Sequence, residues 1–270
     1  MKIAAMESMW HTEPAPANFN LLAIPNQKER RNDFAIEIPW AMGIIGTRSL
    51  TTPMLGINDL VEHAEVRIVN GIEAYNALQE LRADKSNAQA QAVFDEHWKD
   101  LGYALLLKRY VDDLNTATPE QIAQAAWDTV PQVAPLFWAF RIMVGLGFYF
   151  IAFFMVAFYL ATKDRLTLSP RFLKLAVFTI PLPWIAIECG WFVAEFGRQP
   201  WIIEGVLPTY YAASGLSVGD LIISLAIFIG LYSILALLGL KVMLHAVREG
   251  PDEDLSSTAN SFAASAIAAK

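Results

Sequence analysis

Apolar and polar positions divide the chain into two halves of different character. In the second half, Ile142 to Thr162 is a run of 21 residues without a charge, and Leu221 to Leu240 is another of 20. Each meets the need for about 20 apolar residues to cross about 30 Å of hydrocarbon. A middle run, about Phe172 to Phe196, is also apolar, but it carries Lys174, Glu188 and Glu195 and is bent by Pro181 and Pro183. Two sound spans in one bundle can shelter a third whose polar groups face inward. The pattern therefore predicts crossings near residues 135–162, 172–196 and 217–246, with a re-entrant segment as the alternative for the middle one.

The first half has a shorter hydrophobic rhythm. From Asn58, the residues Leu60, Val61, Ala64, Ile68, Ile72, Tyr75, Leu78 and Leu81 recur mostly at three and four, the period of one buried helical face. A second helix is expected over Asn87 to Tyr110, after a mainly polar break at Ala83, Asp84, Lys85 and Ser86. Thr118, Pro119 and Glu120 read as an N-cap, a first-turn proline and a first-turn acid, opening a short helix that ends near Pro131. The first 55 residues, punctuated by Pro14, Pro16, Pro25, Pro39 and Pro53, are expected to be mostly loop, with a short helix around Trp40 to Ile45. The fold class that emerges is an all-α membrane protein. Three transmembrane helices of a larger bundle (residues 133–248) follow an N-terminal helical extracytoplasmic region (residues 1–132), and a flexible tail covers 249–270.

Composition supports the lipid assignment: 55% of residues are hydrophobic and 17% charged. Charge is uneven. Residues 1–130 hold 11 Lys and Arg against 18 Asp and Glu, while residues 131–270 hold 9 of each, so the net charge of −7 lies in the first half. That excludes a basic nucleic-acid binder. The lone Cys189 excludes an intrachain disulfide framework and a cysteine-rich zinc site. Lys163, Arg165, Arg171 and Lys174 crowd the connector between the first two spans, with Asp164 as its only acid, so the positive-inside rule places it in the cytoplasm. Residues 1–132 then lie outside and the tail inside. The start, MKIAAMESMW, lacks the apolar core of a signal peptide. The expectation is that the chain is the C-terminal part of a larger polytopic protein, or assembles with a separate N-terminal part.

Chemistry is sought where polar groups are costly. Glu188, Trp191 and Glu195 fall at i, i+3 and i+7 on one face of the middle helix, and Arg198 is spaced to pair with Glu195. Such acids mark either a functional site or a structural pair at the membrane edge. Arg141 begins the first span and can snorkel to the interface or neutralise a bound anion, while Met143 offers either core packing or a thioether ligand for haem iron. His11, His63, His97 and His245 supply no bis-histidine haem site within the spans, and no copper site is expected.

Four strings then match one family in order. GWFVAEFGRQPW (Gly190 to Trp201) and PLPWIAIE (Pro181 to Glu188) resemble the signature of subunit I of cytochrome bd-type quinol oxidases; FRIMV (Phe140 to Val144) resembles its haem-binding helix, and KIAAME (Lys2 to Glu7) the start of its quinol-binding periplasmic loop. The resemblance extends to about Gly250 and corresponds to the second half of that subunit, with the long version of the loop. It implies that Met143 is an axial ligand of the low-spin haem b, that Arg141 stabilises that haem, and that Glu195 ligates the high-spin haem b with Arg198 near the propionates. Trp191 would lie between redox centres, and Glu188 would line the haem region. Lys2 and Glu7 would bind and deprotonate quinol. The histidine ligand of haem d is absent from this chain. Implied partners are the N-terminal half of subunit I, subunit II, small accessory subunits, ubiquinol or menaquinol, and the lipid of a bacterial inner membrane. The implied reaction oxidises two quinols at the outer face and reduces one O₂ to two waters. A membrane scaffold or transporter fragment, with a structural Glu195–Arg198 pair, is the competing reading.

Overall fold

The computed structural model of the protein describes residues 1–250; the tail expected beyond them lies outside the described residues. Three helical runs are long and apolar enough to cross a membrane: Val133–Thr162, Pro170–Phe196 and Val218–Glu249. Two compact units divide the chain, residues 1–213 and 214–270.

In the first unit, α1 (Lys2–Met6) is followed by an antiparallel hairpin, β1 (Phe19–Asn26) and β2 (Arg31–Ile38). This corrects the expectation of loop through the first 55 residues. Phe34, Ile36 and Ile38 alternate with Asp33, Ala35 and Glu37 along β2, which is the strand period of two. In β1 the same rhythm is blurred by register shifts at Asn20/Leu22 and Ile24/Pro25. Both strands are edges, so Pro25 costs no central ladder bond. The helix expected around Trp40 to Ile45 starts at Ala41 and passes into a π-turn over Gly43–Thr47.

The long helix read from the sequence is α2 (Ile57–Ala83), and its buried stripe runs through Ile57, Val61, Ala64, Ile68, Gly71, Ala74 and Ala77. Small residues dominate its second half because other helices cross closely there. The helix expected over Asn87 to Tyr110 is broken into α3 (Ala88–His97), a tight turn at Trp98–Asp100 and α4 (Leu101–Leu107). Asp100 fixes the break: its carboxylate accepts from Arg67 Nε at 2.6 Å and Asn70 Nδ2 at 3.2 Å, both on α2. Helix α5 (Pro119–Trp127) starts as the sequence indicates, with a capping box in which Thr118 Oγ1 accepts from Gln121 N while Gln121 Oε1 accepts from Thr118 N.

Helix α6 (Val133–Thr162) runs about 45 Å at 1.5 Å per residue, more than the hydrocarbon needs. Its first turns therefore pack with the N-terminal region, and Val133, Leu136 and Phe137 are fully buried there. The middle span is two helices, α7 (Pro170–Thr179) and α8 (Leu182–Phe196), parted where Pro181 lacks a backbone donor. Tyr149 and Thr179 hydroxyls meet at 2.5 Å beside this break, and Phe153 of α6 stacks on Phe172 of α7 at 4.9 Å.

After α8 the chain turns through a small hairpin, β3 (Trp201–Ile203) and β4 (Leu207–Pro208). Trp201 packs on Tyr103 of α4 with centroids 5.0 Å apart, and Arg67 lies 4.0 Å above the Tyr103 ring while donating to its hydroxyl at 2.9 Å. Gly205 closes the turn with φ +72°, and a Cβ on Gly102 would fall 2.2 Å from the Gly205 carbonyl oxygen. In the second unit, α9 (Val218–Glu249) opens with a capping box in which Ser217 and Asp220 exchange bonds.

Because the atom opposing Gly102 is backbone and cannot yield as a side chain would, Gly102→Ala should destabilise the N-terminal region by about 1–3 kcal/mol. In the full-length protein this is expected as a lower unfolding temperature and faster proteolysis within residues 201–208; unchanged values would show the contact to be slack.

Candidate functional site

Glu7 caps the end of α1, and its carboxylate accepts from Arg141 Nη2 at 2.6 Å. The side chains are 3% and 8% exposed, so both charges are closed off from water. Burying a charge is tolerable only with full pairing and hydrogen bonding. Arg141 reaches α1 across 134 positions of sequence and finds further acceptors in β1: its Nε donates to the carbonyls of Asn20 at 3.0 Å and Leu21 at 3.1 Å, and Nη2 also donates to Asn20 O. Its guanidinium carbon lies 4.5 Å from the Phe19 ring centroid, 4.4 Å from Phe137 and 5.3 Å from Phe140. Aromatic faces attract a cation and partly replace its water. Arg141 Nη1 and Asn20 Oδ1 are buried without a protein partner.

Burial pushes the Glu7 carboxyl above the usual carboxylate range, and the hydrogen bond and charge of Arg141 pull it back without cancelling that effect. Such a group exchanges a proton nearer to neutral pH than an exposed glutamate does.

Met143 sits two residues further along α6, half-buried against α8. A Cβ on Gly190 would stand 3.1 Å from Met143 Sδ, so the bare glycine leaves room for the sulfur. On α8, Glu188 and Trp191 are exposed, Trp191 by 63%, and Glu195 is about half exposed. Glu195 accepts from Arg198 Nη2 at 3.2 Å, the i, i+3 pairing expected from the spacing.

Lys2 lies at the other end of α1 from Glu7. Its stem covers Gly197, where a Cβ would come within 2.9 Å of Lys2 Cγ and Cδ. Lys2 and Arg198 share a cleft of about 590 Å³ that also touches His63, Arg67, Trp201 and Glu204. The structure thus forms three groupings from the residues singled out in the sequence: Glu7 with Arg141, Lys2 with Arg198 and Glu195, and Met143 against Gly190. Glu188 and Trp191 join none of them.

Sequence reasoning missed Asn20, Asn32 and Ser8, which surround the Glu7 turn. Asn20 Nδ2 donates to Glu7 O at 2.9 Å, Asn32 Nδ2 donates to Ser8 O at 3.1 Å, and Ser8 Oγ donates to Asn32 Oδ1 at 2.6 Å. The signal that could have found them is the apolar alternation of β2 around a polar turn, a hairpin signature.

Comparison with known proteins shows the family. The family model described as cytochrome bd terminal oxidase subunit I matches residues 1–251. Cytochrome bd-II ubiquinol oxidase subunit 1 of Escherichia coli is 41% identical over 251 residues, covering 93% of this chain and 49% of that protein. Cytochrome bd ubiquinol oxidase subunit 1 of Bacillus subtilis is 22% identical over 255 residues, 94% of this chain and 42% of that protein. The chain thus spans about half the length, or less, of these two relatives. With a family match from end to end of the described residues, and the buried Glu7–Arg141 pair and Met143 placed within it, the chain belongs to the cytochrome bd terminal oxidase subunit I family.

Proposed function

We propose that the chain is the C-terminal part of the haem-bearing subunit of a quinol:O₂ oxidoreductase, taking protons from ubiquinol or menaquinol at the outer face of a bacterial inner membrane. The observation that carries this reading is the buried Glu7–Arg141 pair, set two residues from Met143 on the same helix. A proton-accepting carboxylate and a soft thioether at one membrane boundary suit a reaction that parts protons from electrons.

Glu7 is the base. Its raised pKa favours uptake of a quinol hydroxyl proton near neutral pH, and Arg141 holds enough of it ionised to act. Lys2, in the cleft at the other end of α1, offers a cation to a quinol oxygen. The outer position of the site means that the proton leaves to the outside.

The donor set also fits haem. Arg141 Nη1, buried and without a protein partner, suits an anionic propionate oxygen, and the space over Gly190 suits a ligating sulfur at Met143. Met143 and Arg141 would hold the low-spin haem b, and Glu195 and Arg198 the high-spin haem b, with Trp191 and Glu188 facing the haem region. The haems, including a haem d or third haem b ligated from outside this chain, supply one-electron transfer and O₂ reduction when bound. Subunit II and the N-terminal half of subunit I would complete the complex, with small accessory subunits beside them. The half-exposed Glu195–Arg198 pair equally suits a membrane scaffold or transporter fragment. Haem absorbance separates the two readings, since a colourless complex leaves only the second.

In the complete oxidase, Met143→Leu should remove the low-spin b band from the reduced-minus-oxidised spectrum while leaving the others. An unaltered spectrum would rule out the axial role. Glu7→Ala should cut quinol-driven O₂ consumption about a hundredfold with all haems retained, the lower end of the range for loss of a general base. Retained turnover would remove Glu7 from the chemistry. Arg141→Gln removes the influence that lowers the Glu7 pKa, so the acid limb of the pH–rate profile should move to higher pH. A limb that stays in place in haem-replete enzyme would show that Arg141 does not tune the base.

A further inference from the structure

We infer that Asn20 and Asn32, one on each strand of the β1–β2 hairpin, are positioning residues that clamp the Glu7–Ser8 turn and so deliver the Glu7 carboxylate to Arg141. The inference rests on the reading of Glu7 as the quinol base and extends it to a device made by a different part of the chain.

The turn does not hold itself. Helix α1 has five residues, and isolated helices of that length are unstable in water. It ends with Ser8 N donating to Ala5 O at 3.1 Å and Met9 N donating to Ala4 O at 2.9 Å, which requires Ser8 to adopt φ +54°. Serine rarely takes this left-handed conformation, and such a residue persists where its surroundings determine it.

Those surroundings come from the hairpin. Asn20 Nδ2 donates to Glu7 O at 2.9 Å and approaches Ser8 O at 3.5 Å. Asn32 and Ser8 exchange two bonds, Asn32 Nδ2 to Ser8 O at 3.1 Å and Ser8 Oγ to Asn32 Oδ1 at 2.6 Å. Trp10 Nε1 donates to the same Asn32 oxygen at 3.0 Å. Asn20 also touches the other member of the ion pair, because its carbonyl accepts from Arg141 Nε at 3.0 Å. One residue therefore grips Glu7 with its side chain and Arg141 with its main chain. From the opposite side, Ile57 N and Asn58 N at the start of α2 donate to Met9 O at 2.8 Å and Trp10 O at 3.1 Å.

The groups facing Glu7 are few. Helix α6 presents the charge of Arg141, β1 and β2 present the neutral asparagines, and α2 presents backbone donors to Met9 and Trp10. Displacing the turn therefore has two consequences for Glu7, exposure to water and separation from Arg141. Exposure dominates, because burial is the larger influence on this carboxyl.

The test uses the complete oxidase, with haem content read from the reduced-minus-oxidised spectrum and quinol-driven O₂ consumption measured against pH. Asn20→Ala and Asn32→Ala should lower turnover roughly tenfold or more, the scale on which small misplacements of a reacting group act. Their acid limb should move to lower pH, opposite to the shift expected for Arg141→Gln. Ser8→Ala, which removes one bond of the clamp, should lower turnover a few-fold with the same sign of shift. Asn32→Asp keeps the acceptor for Ser8 and Trp10 but sets a carboxylate oxygen against Ser8 O where the amide donated, and should lower turnover at least as much as Ser8→Ala. Lower turnover with an unmoved acid limb would reduce the asparagines to structural props and overturn the proposal, as would turnover at the parent level. Should the alanine variants lose their haem absorbance, Ser8→Ala decides by the same readout. If Glu7→Ala itself leaves turnover intact, the reading of Glu7 fails and the clamp has nothing to position. Slow Glu7→Ala with normal asparagine variants refutes the clamp alone.

Discussion

Two opposite charges shut away from water govern this architecture. Removing one partner of such a pair strands the other, at a cost of about 3–5 kcal/mol. The fold accordingly surrounds Arg141 with groups that a lone ion pair would lack. Backbone carbonyls from β1 accept from its Nε and Nη2, and three phenylalanine rings line its surface. The hairpin, α1 and the first turns of α6 thus converge on one guanidinium. Under the role proposed for Glu7, a carboxylate that changes protonation state is held in a structure that would suffer from its loss.

A second convergence lies at the end of α8. Arg67 binds Asp100, Tyr103 packs on Trp201, and Gly102 meets Gly205, so α2 and α4 hold the short hairpin that follows Glu195 and Arg198. Lys2 rests on Gly197 at the same place. The helices of the N-terminal region are therefore more than a cover. They fix the position of this residue pair through close backbone contact, which tolerates little displacement.

The sequence made the long elements legible because each repeats one physical signal many times. Uninterrupted apolar runs gave α6 and α9, and the spacing from Leu60 to Tyr75 gave α2. Thr118 gave the start of α5 through local hydrogen bonding alone. Elements fixed by tertiary contact were hidden. The break before α4 depends on Arg67 and Asn70 reaching Asp100 from about 30 positions away, and the β1 strand period is masked by its own bulges. For the site, Glu7, Arg141 and Met143 were visible as costly or soft groups in a family pattern. Their mutual geometry, and the part played by Asn20 and Asn32, arise from contacts between residues distant in sequence. No local periodicity encodes those contacts.

The continuity of α6 imposes a restriction on how the chain can change length. Val133 and Phe137 are sealed into the core of the N-terminal region, whereas Arg141 and Met143 face different partners on the same unbroken cylinder. Inserting or deleting a single residue between Phe137 and Arg141 would swing everything beyond it by about 100° and 1.5 Å. The guanidinium would then leave Glu7 and the sulfur would leave Gly190. Segments such as residues 48–56 and 111–117, which lie between helices, have no comparable phase to keep. Length variation among natural homologues should therefore accumulate in those connections and be absent from the nine-residue stretch Val133 to Arg141.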